Sequence, residues 1–571
     1  MLTSLKTVPE KTGTRTLKNF ICGEWIAGMQ PHTTLFNAIT GEEIAATSTN
    51  GIDFGQALEY GRNAGGPALR KLTFHERARM LKNLAVYLNE KKSLFYDLSW
   101  ATGATKADSW IDIEGGIGNL FVYAGKGRRE LPDKVFYVDG NPEIVSKGGS
   151  FIGQHICLPL EGIAVHINAF NFPCWGMLEK IAVNLLAGVP AIVKPATVTS
   201  YLTELMFRKI IESGILPAGS LQLICGSAGD LLDHLICQDV VTFTGSAETG
   251  KKLKSHPAVI ENSVRFTMEA DSLNFCLLGS DAEPGREEFN LFIKEVAKEM
   301  TVKAGQKCTA IRRTIVPQKF LEPVVNALKK RLSEIKTGDP QVQGVRMGSL
   351  AGMQQVKEVS YNTEKLMNDC VRVFGDYDSF ELLGADKKKG AFFPSMILLC
   401  EDPFRRKAPH EVEAFGPVTT VIPYKSAEEA VELIKMGRGS LCGSVFTEDD
   451  RFAREIVLGT GAWHGRIVVI NPSCSGESTG HGSPLPHLVH GGPGRAGGGE
   501  EMGGIRGVLQ YMQRVALQGS PATLSRICEV YLPKAEQKTG SVHPFCKYFE
   551  ELEIGDTIIT HKRTVTEADI S

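Results

Sequence analysis

The 571-residue chain is 42% hydrophobic and 22% charged with a formal net charge of -2, which allows two or more domains but excludes a broad basic surface for nucleic acid. Its 13 cysteines form no C-x-x-C pair and no zinc-ligand spacing, which argues against disulfides and a metal site and favours a reducing compartment. No stretch is long and apolar enough to span a membrane, and residues 1–18 lack a signal-peptide core, so the cytoplasm is expected.

An alternation of short apolar runs and amphipathic segments begins at Glu161. The helical spacing in the first amphipathic segment ends at Gly188, a residue suited to a helix C-terminus. This order predicts a parallel, doubly wound sheet. The predicted strands are 162–167, 189–193, 221–224 and 240–244, and the predicted helices are 175–187 and 201–211.

A second α/β unit is predicted from about Asp281, with Cys308 near its start. Gly491–Gly504 is dense in glycine, and we favour an ordered, tightly turning backbone there over a flexible linker. A helix is predicted at 508–517 and a linker at 519–538. The other elements predicted in this unit are helices 289–300 and 321–335 and strands 311–316, 396–399 and 418–423.

Cys308 is the candidate nucleophile, in the run Gly305-Gln306-Lys307-Cys308-Thr309-Ala310. A lone cysteine is more often a small buried apolar residue, but Gly305 and Gln306 permit a close approach of the backbone. Because a free thiol is only slightly ionised at neutral pH, the site must stabilise the thiolate or remove the proton.

Two distant residues could supply what a thiol needs to oxidise an aldehyde. Asn171 follows a predicted strand and precedes Phe172-Pro173, where it is either a helix cap or a donor to an oxyanion. Glu269 lies among mostly apolar residues. It is either part of a structural ion pair or a base near neutral pH, with the raised pKa that burial would give.

Further polar residues follow predicted strands, at the edge where parallel sheets bind ligands. We favour a cofactor contact over a solvated side chain for Lys194, and a phosphate site at the turn that contains Ser246. Glu413 is either a surface charge or a ribose contact. The G-x-G-x-x-G fingerprint is absent from the Ser246 turn, which argues against a standard Rossmann dehydrogenase.

Together these motifs resemble the aldehyde dehydrogenase superfamily over roughly residues 16–520, and they occur in the family's order. The resemblance implies an α/β fold with a Rossmann-like cofactor domain, an α/β catalytic domain and a small β arm that pairs subunits into dimers of a homo-oligomer. It implies Cys308 as nucleophile, Asn171 as oxyanion donor and Glu269 as the base for deacylation. The implied cofactor residues are Phe170, Lys194, Thr197, Thr244, Gly245, Ser246, Gly250, Glu413 and Phe415.

The resemblance also divides the chain. The dehydrogenase would occupy 1–520, with a cofactor-binding part at about 1–280, a catalytic part at about 281–490, and the arm and C-terminal segment at 491–520. A linker at 521–542 would precede 543–571, which resembles the start of a MaoC-type hot-dog hydratase. Such a domain needs roughly a hundred residues more, so no hydratase (oxepin-CoA ring-opening) activity is expected of this chain.

Two departures from the family's common pattern narrow the expected substrate. The run Met268-Glu269-Ala270-Asp271-Ser272-Leu273-Asn274 replaces the common Glu-Leu-Gly-Gly, and the C-terminal signature is drawn out from His490 to Glu501. These variants resemble those of the family members that act in aerobic phenylacetate catabolism. This resemblance implies oxidation of 3-oxo-5,6-dehydrosuberyl-CoA semialdehyde to the acid. The alternatives are 3,4-dehydroadipyl-CoA semialdehyde, from the benzoyl-CoA epoxidation route, and general aldehydes.

NADP is the expected cofactor, with NAD as the alternative. Many NAD-preferring relatives carry a glutamate three residues after the lysine, where this chain has Thr197. Without that carboxylate the 2′-phosphate of NADP meets no repulsion, and Lys194 could pair with it.

Three other functions stay open. An acylating dehydrogenase would transfer the acyl group to free CoA, but Glu269 would then have no role. A scaffold could oligomerise a hydratase. A thiol hydrolase of the Cys-His type would need a base, but no histidine among 464, 481, 487 and 490 stands in a recognisable base motif. Charged residues flank the nucleophile and could hold CoA, but they are expected to be solvated: Lys303, Lys307, Arg312 and Arg313.

Overall fold

The computed structural model describes residues 15–500 and 502–535. Among these residues, one compact unit comprises those up to Asp133 and those from Leu160 to Tyr511, and a second comprises Lys134–Pro159 and the described residues from Met512. The predicted hydratase-like segment at 543–571 lies outside the described residues. Within the described ranges, no helix combines the length and apolar character needed to cross a bilayer.

The strands and helices of the described chain follow in sequence order. The strands are β1 Asn19–Ile21, β2 Glu24–Ile26, β3 Thr33–Phe36, β4 Glu43–Thr47, β5 Tyr137–Ile144, β6 Ile152–Pro159, β7 Ala164–Ile167, β8 Ala191–Lys194, β9 Leu221–Leu223, β10 Val240–Thr244, β11 Arg265–Glu269, β12 Phe275–Leu278, β13 Arg313–Pro317, β14 Val371–Phe374, β15 Met396–Leu399, β16 Val418–Tyr424, β17 Ser440–Phe446, β18 His464–Ile470 and β19 Met512–Gly519. The helices are α1 Phe54–Tyr60, α2 Gly66–Arg70, α3 Phe74–Glu90, α4 Lys92–Ser99, α5 Lys106–Trp110, α6 Gly116–Glu130, α7 Pro173–Ala187, α8 Ser200–Glu212, α9 Ala247–Lys254, α10 Pro257–Glu261, α11 Glu287–Thr301, α12 Leu321–Ser333, α13 Met353–Met367, α14 Ala408–Glu411, α15 Ala427–Met436, α16 Asp450–Thr460, α17 Pro472–Ser475, α18 Ile505–Leu509 and α19 Pro521–Cys528.

The first sheet has the strand order β11-β10-β7-β8-β9-β1-β2. Its first five strands are parallel, and β1 joins β9 in antiparallel pairing. Buried apolar runs form the central strands, and Gly188 ends α7 with φ +92, a left-handed backbone that glycine adopts without strain. The predicted parallel α/β sheet is therefore confirmed.

The second sheet has the strand order β14-β15-β16-β13-β12-β17-β18. Successive residues of β12 enter different cores: Phe275 and Leu277 pack in one cluster, and Cys276 and Leu278 pack in another. Because side chains alternate along a strand, both faces of this sheet are covered, as parallel sheets require. The second α/β layer thus begins at β12, slightly before the predicted start at Asp281.

The glycine-rich run Gly491–Gly504 turns tightly in its described residues, as we expected. Six of its glycines have positive φ values, and its backbone hydrogen-bonds to the strand that carries Glu269. Ala270 N donates to Ala496 O at 3.0 Å, and Gly499 N donates to Met268 O at 3.1 Å. A tightly turning backbone without side chains is what permits this close approach.

The prediction of a helix at 508–517 is wrong, because most of this segment is strand β19, which pairs with β6 along eight residues. Regular pairing with a neighbouring strand outweighs local helical preference. Strands β19, β6 and β5 form a three-stranded sheet in the second unit, so the predicted arm at 491–520 supplies one of its three strands. Within the predicted linker lies α19, capped by Ser520 and started by Pro521.

Replacing Gly497 should destabilise the protein, because it has φ +107 and an added Cβ would lie 2.2 Å from Met268 O. We expect Gly497→Ala to lower the free energy of unfolding by about 1–3 kcal/mol from backbone strain alone. Gly118→Ala is the control, since an added Cβ there meets nothing within 4 Å inside α6, and it should be neutral or stabilising. Equal urea-unfolding midpoints for the two variants would contradict this account of the segment.

Candidate active site

Three parallel strands end at the same edge of the first sheet. In the strand register Thr244 stands beside Glu269, and Phe243 beside Ile167. The segment after β7, which contains Asn171, therefore begins where β10 and β11 end. This is the edge at which parallel sheets of this kind bind ligands.

Cys308 reaches this edge on a loop with an unusual backbone. Lys303, Ala304 and Gly305 all have positive φ, at 52°, 50° and 68°, and such a conformation costs non-glycine residues roughly 1–3 kcal/mol each. The loop is held from its sides. Lys303 Nζ donates to Thr102 Oγ1 at 2.7 Å, and a Cβ on Gly305 would lie 2.2 Å from Gly416 O.

The turn that carries Cys308 is fixed by Asn274, in the segment that departs from the family's common pattern. Asn274 Nδ2 donates to Cys308 O at 2.8 Å and to Ala310 O at 2.9 Å. Ser272 Oγ donates in turn to Asn274 Oδ1 at 2.6 Å. The segment after Glu269 therefore positions the nucleophile as well as the carboxylate.

One pocket brings together the predicted catalytic residues Cys308, Asn171 and Glu269. Asn171 is 8% exposed, Glu269 2%, and Cys308 is half-buried. Thr244, predicted to line the cofactor, also faces this pocket. The other lining residues are Ile111, Asn168, Ala169, Phe172, Trp175, Gly176, Glu179, Lys180, Lys307, Thr309, Gly482, Pro484 and His490.

Glu269 does not have the raised pKa that its apolar sequence context predicted. Burial, the largest single influence, would raise it, but the charge and hydrogen bond of His490, the charge of Lys180 and a hydrogen bond from Cys308 together outweigh burial, so the pKa lies well below its usual range. His490 Nε2 is 3.0 Å from Glu269 Oε2. The expectation was wrong because the cation comes from a segment 221 positions away in sequence, which no local pattern reveals.

Cys308 is a neutral thiol in this environment. Burial, followed by the negative charge of Glu269, raises its pKa well above the usual range. The thiolate must therefore be formed during catalysis rather than held at rest.

His490 is a residue of this pocket that the sequence did not single out. Of the four histidines considered, His464 and His481 are buried in other hydrogen bonds, to Ser440 and Ser444, and His487 is exposed. Its position in the sequence could have indicated His490, because this residue opens the drawn-out glycine signature.

Helix α7 contributes a polar group of its own to the pocket. Trp175 Nε1 donates to Glu179 Oε2 at 2.7 Å, and Lys180 Nζ donates to Thr244 Oγ1 at 2.9 Å.

Asn168, just after β7, is 4% exposed, and neither of its amide atoms has a hydrogen-bond partner in the described part of the chain. An unpaired buried amide is costly, so Asn168 is available to a bound ligand.

The predicted cofactor residues near the first sheet occupy its ligand edge. Lys194 ends β8, and Thr197 begins the turn that follows. Ser246 caps α9 by accepting a hydrogen bond from Thr249 N. Gly250 is buried in the same helix, where a Cβ would lie 2.4 Å from Met268 Sδ. A Cβ on Gly245 would likewise lie 2.6 Å from the Phe243 ring.

Glu413 and Phe415, predicted to line the cofactor, make extensive contacts within the protein. Both carboxylate oxygens of Glu413 have protein partners, since Arg312 Nε donates to Oε1 at 3.1 Å and Ser272 N donates to Oε2 at 3.0 Å. Phe415 packs edge-on against Phe170 with ring centroids 5.8 Å apart, and the Arg312 guanidinium lies over its ring. A ribose at this position would share Glu413 with Arg312.

The charged residues that flank Cys308 are not solvated, contrary to expectation. Lys307 pairs with Glu299 at 2.8 Å, Arg312 pairs with Glu413, and Arg313 donates to the Leu433 and Ile434 carbonyls. Each side chain is satisfied inside the protein, so this group fixes loops and does not offer a surface for CoA. All four are at most 6% exposed: Lys303, Lys307, Arg312 and Arg313.

The chain matches the model of the aldehyde dehydrogenase family over residues 25–516. It is 42% identical to 3,4-dehydroadipyl-CoA semialdehyde dehydrogenase of Aromatoleum evansii over 478 residues, which cover 84% of this chain and 93% of that protein. It is 47% identical to Protein MaoC of Klebsiella aerogenes over 227 residues, which cover 39% of this chain and 65% of that protein.

Solved structures show the same fold. Betaine aldehyde dehydrogenase from Staphylococcus aureus in complex with NAD+ superposes with a TM-score of 0.75 at 22% identity, covering 88% of this chain and 94% of that one. A point mutant of aldehyde dehydrogenase from Bacillus cereus gives a TM-score of 0.75 at 21% identity, with 88% of this chain and 96% of that one covered.

Breaking the buried Arg312–Glu413 pair should be strongly destabilising. Arg312→Met leaves a buried carboxylate without its cation, which typically costs about 3–5 kcal/mol. Adding Glu413→Gln should recover part of that loss, as a double-mutant cycle in urea would measure. The exposed pair Arg372–Asp376 is the control, and Arg372→Met should change stability by at most about 1 kcal/mol. Equal losses at Arg312 and Arg372 would contradict a structural role for the buried pair.

Proposed function

Because the chain belongs to the aldehyde dehydrogenase family, whose members are oxidoreductases acting on aldehydes, we propose that it oxidises a CoA-linked semialdehyde to the acid, with NADP as the hydride acceptor. The observation that carries the proposal is the single pocket shared by Cys308, Asn171 and Glu269. The substrate class is supported by the 42% identity to a CoA-linked semialdehyde dehydrogenase.

The first half of the proposed reaction belongs to Cys308. Its sulfur adds to the aldehyde carbon, and the carbonyl oxygen gains negative charge as the new bond forms. The Asn171 amide and the Cys308 backbone N–H are the proposed donors to that oxygen, and one such donor is typically worth about a hundredfold or more in rate. The bound nicotinamide supplies the hydride acceptor.

The second half belongs to Glu269, which we propose removes a proton from water. The water oxygen bonds to the acyl carbon, the carbon–sulfur bond breaks, and sulfur leaves as thiolate. The lowered pKa of Glu269 keeps it ionised at neutral pH, so it can accept a proton, although as a weaker base than a carboxylate of raised pKa. A base placed to activate water argues against an acylating dehydrogenase.

Two substrates fit this chemistry. The first is 3-oxo-5,6-dehydrosuberyl-CoA semialdehyde, supported by the C-terminal signature and the 47% identity to Protein MaoC over part of the chain. The second is 3,4-dehydroadipyl-CoA semialdehyde, supported by the longer match to the dehydrogenase of that name. In either case the CoA phosphates must be held away from Lys303, Lys307, Arg312 and Arg313, since these are committed to internal contacts.

The residues that would hold the nucleotide are those at the first sheet's ligand edge, mainly Lys194, Thr197 and Ser246. Lys194 has no carboxylate partner in the described ranges, and burial lowers its pKa. A phosphate beside Lys194 would provide the missing anion. This unpaired cation supports NADP over NAD, because the 2′-phosphate is the group that distinguishes them.

A cytoplasmic homo-oligomer is the proposed setting. The 12 cysteines in the described ranges are all free, which a reducing compartment favours. The three-stranded sheet of β5, β6 and β19 is the candidate arm for pairing subunits.

The test of function is formation of reduced nicotinamide from both CoA-linked semialdehydes and from simple aliphatic and aromatic aldehydes. We expect kcat/KM to be highest for a CoA-linked substrate and Cys308→Ala to abolish turnover. Equal kcat/KM values for simple aldehydes would refute the CoA-linked assignment and leave a general aldehyde dehydrogenase. Activity that survives in Cys308→Ala would refute the catalytic assignment.

Thr197→Glu should reverse the cofactor preference. A carboxylate at this position would repel the 2′-phosphate and accept a hydrogen bond from the 2′-hydroxyl of NAD. We expect kcat/KM for NADP to fall at least about tenfold, equivalent to ~1.4 kcal/mol. Thr197→Gln is the control, because it adds the same bulk without charge and should retain NADP preference. A wild-type enzyme with higher kcat/KM for NAD would contradict the argument from Lys194.

A further inference from the structure

His490 lines the pocket together with Cys308 and Glu269, the two side chains proposed to react. Cys308 Sγ, a Glu269 carboxylate oxygen and a His490 ring nitrogen all lie within 4.8 Å of one another. His490 is 5% exposed and Glu269 is 2% exposed. A buried imidazole this close to a thiol can exchange a proton with it after a small adjustment.

The backbone holds His490 in this place. The next residue, Gly491, forms a bridge with Glu500, and a Cβ on Gly465 would lie 1.8 Å from Gly491 O. The same segment bonds to the strand residues on both sides of Glu269. The distance between His490 and Glu269 is therefore set by main-chain packing and not by two mobile side chains.

The contact between His490 and Glu269 is close, since Nε2 lies 3.0 Å from Oε2. The carboxylate acts on the imidazole first through its charge and then through hydrogen bonding.

The charged surroundings of His490 favour its protonated form. Burial, the largest single influence, would lower the pKa of His490, but the charge of Glu269 and its hydrogen bond, together with Glu179, more than offset burial, and the pKa is raised. Glu179 on α7 acts in the same direction, while Arg466 on β18 opposes it. Lys180 on α7 lowers the pKa of Glu269 through its charge. A neutral imidazole with a raised pKa is a stronger base than an unperturbed one.

Removal of the thiol proton is the step that needs such a base. Burial, the charge of Glu269 and a hydrogen bond to Glu269 raise the pKa of the Cys308 thiol. The Glu269 carboxylate has a lowered pKa, so it holds a proton less strongly than the nearby imidazole. If the proton moves from Sγ to an imidazole, the charge of the cluster is conserved, because the thiolate formed beside Glu269 is balanced by the imidazolium.

We propose that His490 is the general base for Cys308, and that Glu269 stabilises the imidazolium and separately activates water for deacylation. The proposal rests on the proposed function. The S–H bond breaks, its proton bonds to the His490 ring nitrogen, and the sulfur electron pair forms the bond to the aldehyde carbon. When the thioester is later hydrolysed, sulfur leaves as thiolate and recovers the proton from His490, while the proton of the attacking water goes to Glu269.

The first test is independent of any substrate. Alkylation of Cys308 by iodoacetamide is followed against pH by mass spectrometry of the peptide that carries it. In the wild type we expect the rate to fall as pH drops through the raised pKa of His490. In His490→Gln the thiol must ionise alone. The pH at which the alkylation rate falls (the acid limb of the profile) should therefore move by more than about one unit to higher pH. His487→Gln, an exposed site on the same segment, should match the wild type.

The second test separates the two bases by the step that each one serves. In single-turnover reactions at about pH 7.5, with whichever aldehyde the wild type oxidises, we expect His490→Gln to slow hydride formation by about 10²–10⁴-fold, the range typical of a general base. Glu269→Gln should retain hydride formation and lose hydrolysis of the acyl-enzyme. His490→Asn repeats the experiment if the glutamine variant does not fold.

A loss that is equal at every pH, with the limb unmoved, would show a merely structural role for His490 and overturn the proposal. An unchanged alkylation profile in His490→Gln would also overturn it. If no CoA-linked aldehyde is a substrate while the alkylation limb still moves, the substrate assignment fails and the role of His490 stands.

Discussion

Two main-chain hydrogen bonds on either side of Glu269 are the constraint on which the site depends. Ala270 N bonds to Ala496 O, and Gly499 N bonds to Met268 O, so the glycine-rich segment lies directly against the end of β11. A carboxylate at the end of a strand would otherwise face solvent. Here the segment buries the carboxylate and places His490 beside it. The packing of this one segment therefore determines the position, the burial and the electrostatic surroundings of Glu269.

Burial of charge organises the neighbouring loops in the same way. Lys307 with Glu299, and Arg312 with Glu413, are ion pairs with little exposure. A buried pair adds little net stability, but removal of one partner is expensive because the other charge remains desolvated. Such pairs therefore hold the strained backbone before Cys308 in one arrangement. This explains why cationic residues so close to the nucleophile are unavailable to an anionic substrate.

The sequence predicted the parts of the structure that depend on local pattern. Alternating apolar runs located β10 at its observed bounds and β7 and β8 within two residues, because burial on both faces requires continuous apolar residues. The chemistry of a thiol, an amide and a carboxylate predicted that Cys308, Asn171 and Glu269 lie in one site. They line one pocket in the structure. Residues 508–517 were misassigned because their strand is specified by β6, more than 350 positions earlier.

The electrostatics could not be predicted, since they come from contacts between segments distant in sequence. Apolar neighbours around Glu269 correctly indicated burial, but the direction of its pKa shift depends on groups from other segments, above all His490, which is 221 positions away. The consequence is chemical. A lone buried carboxylate would be a strong base able to serve both halves of the reaction, whereas a carboxylate paired with an imidazole is a weak one. Two proton acceptors with different basicities suit a reaction that must deprotonate two different groups, a thiol first and a water molecule afterwards. In the proposed mechanism the drawn-out glycine signature supplies the second base, because it is the segment that His490 opens.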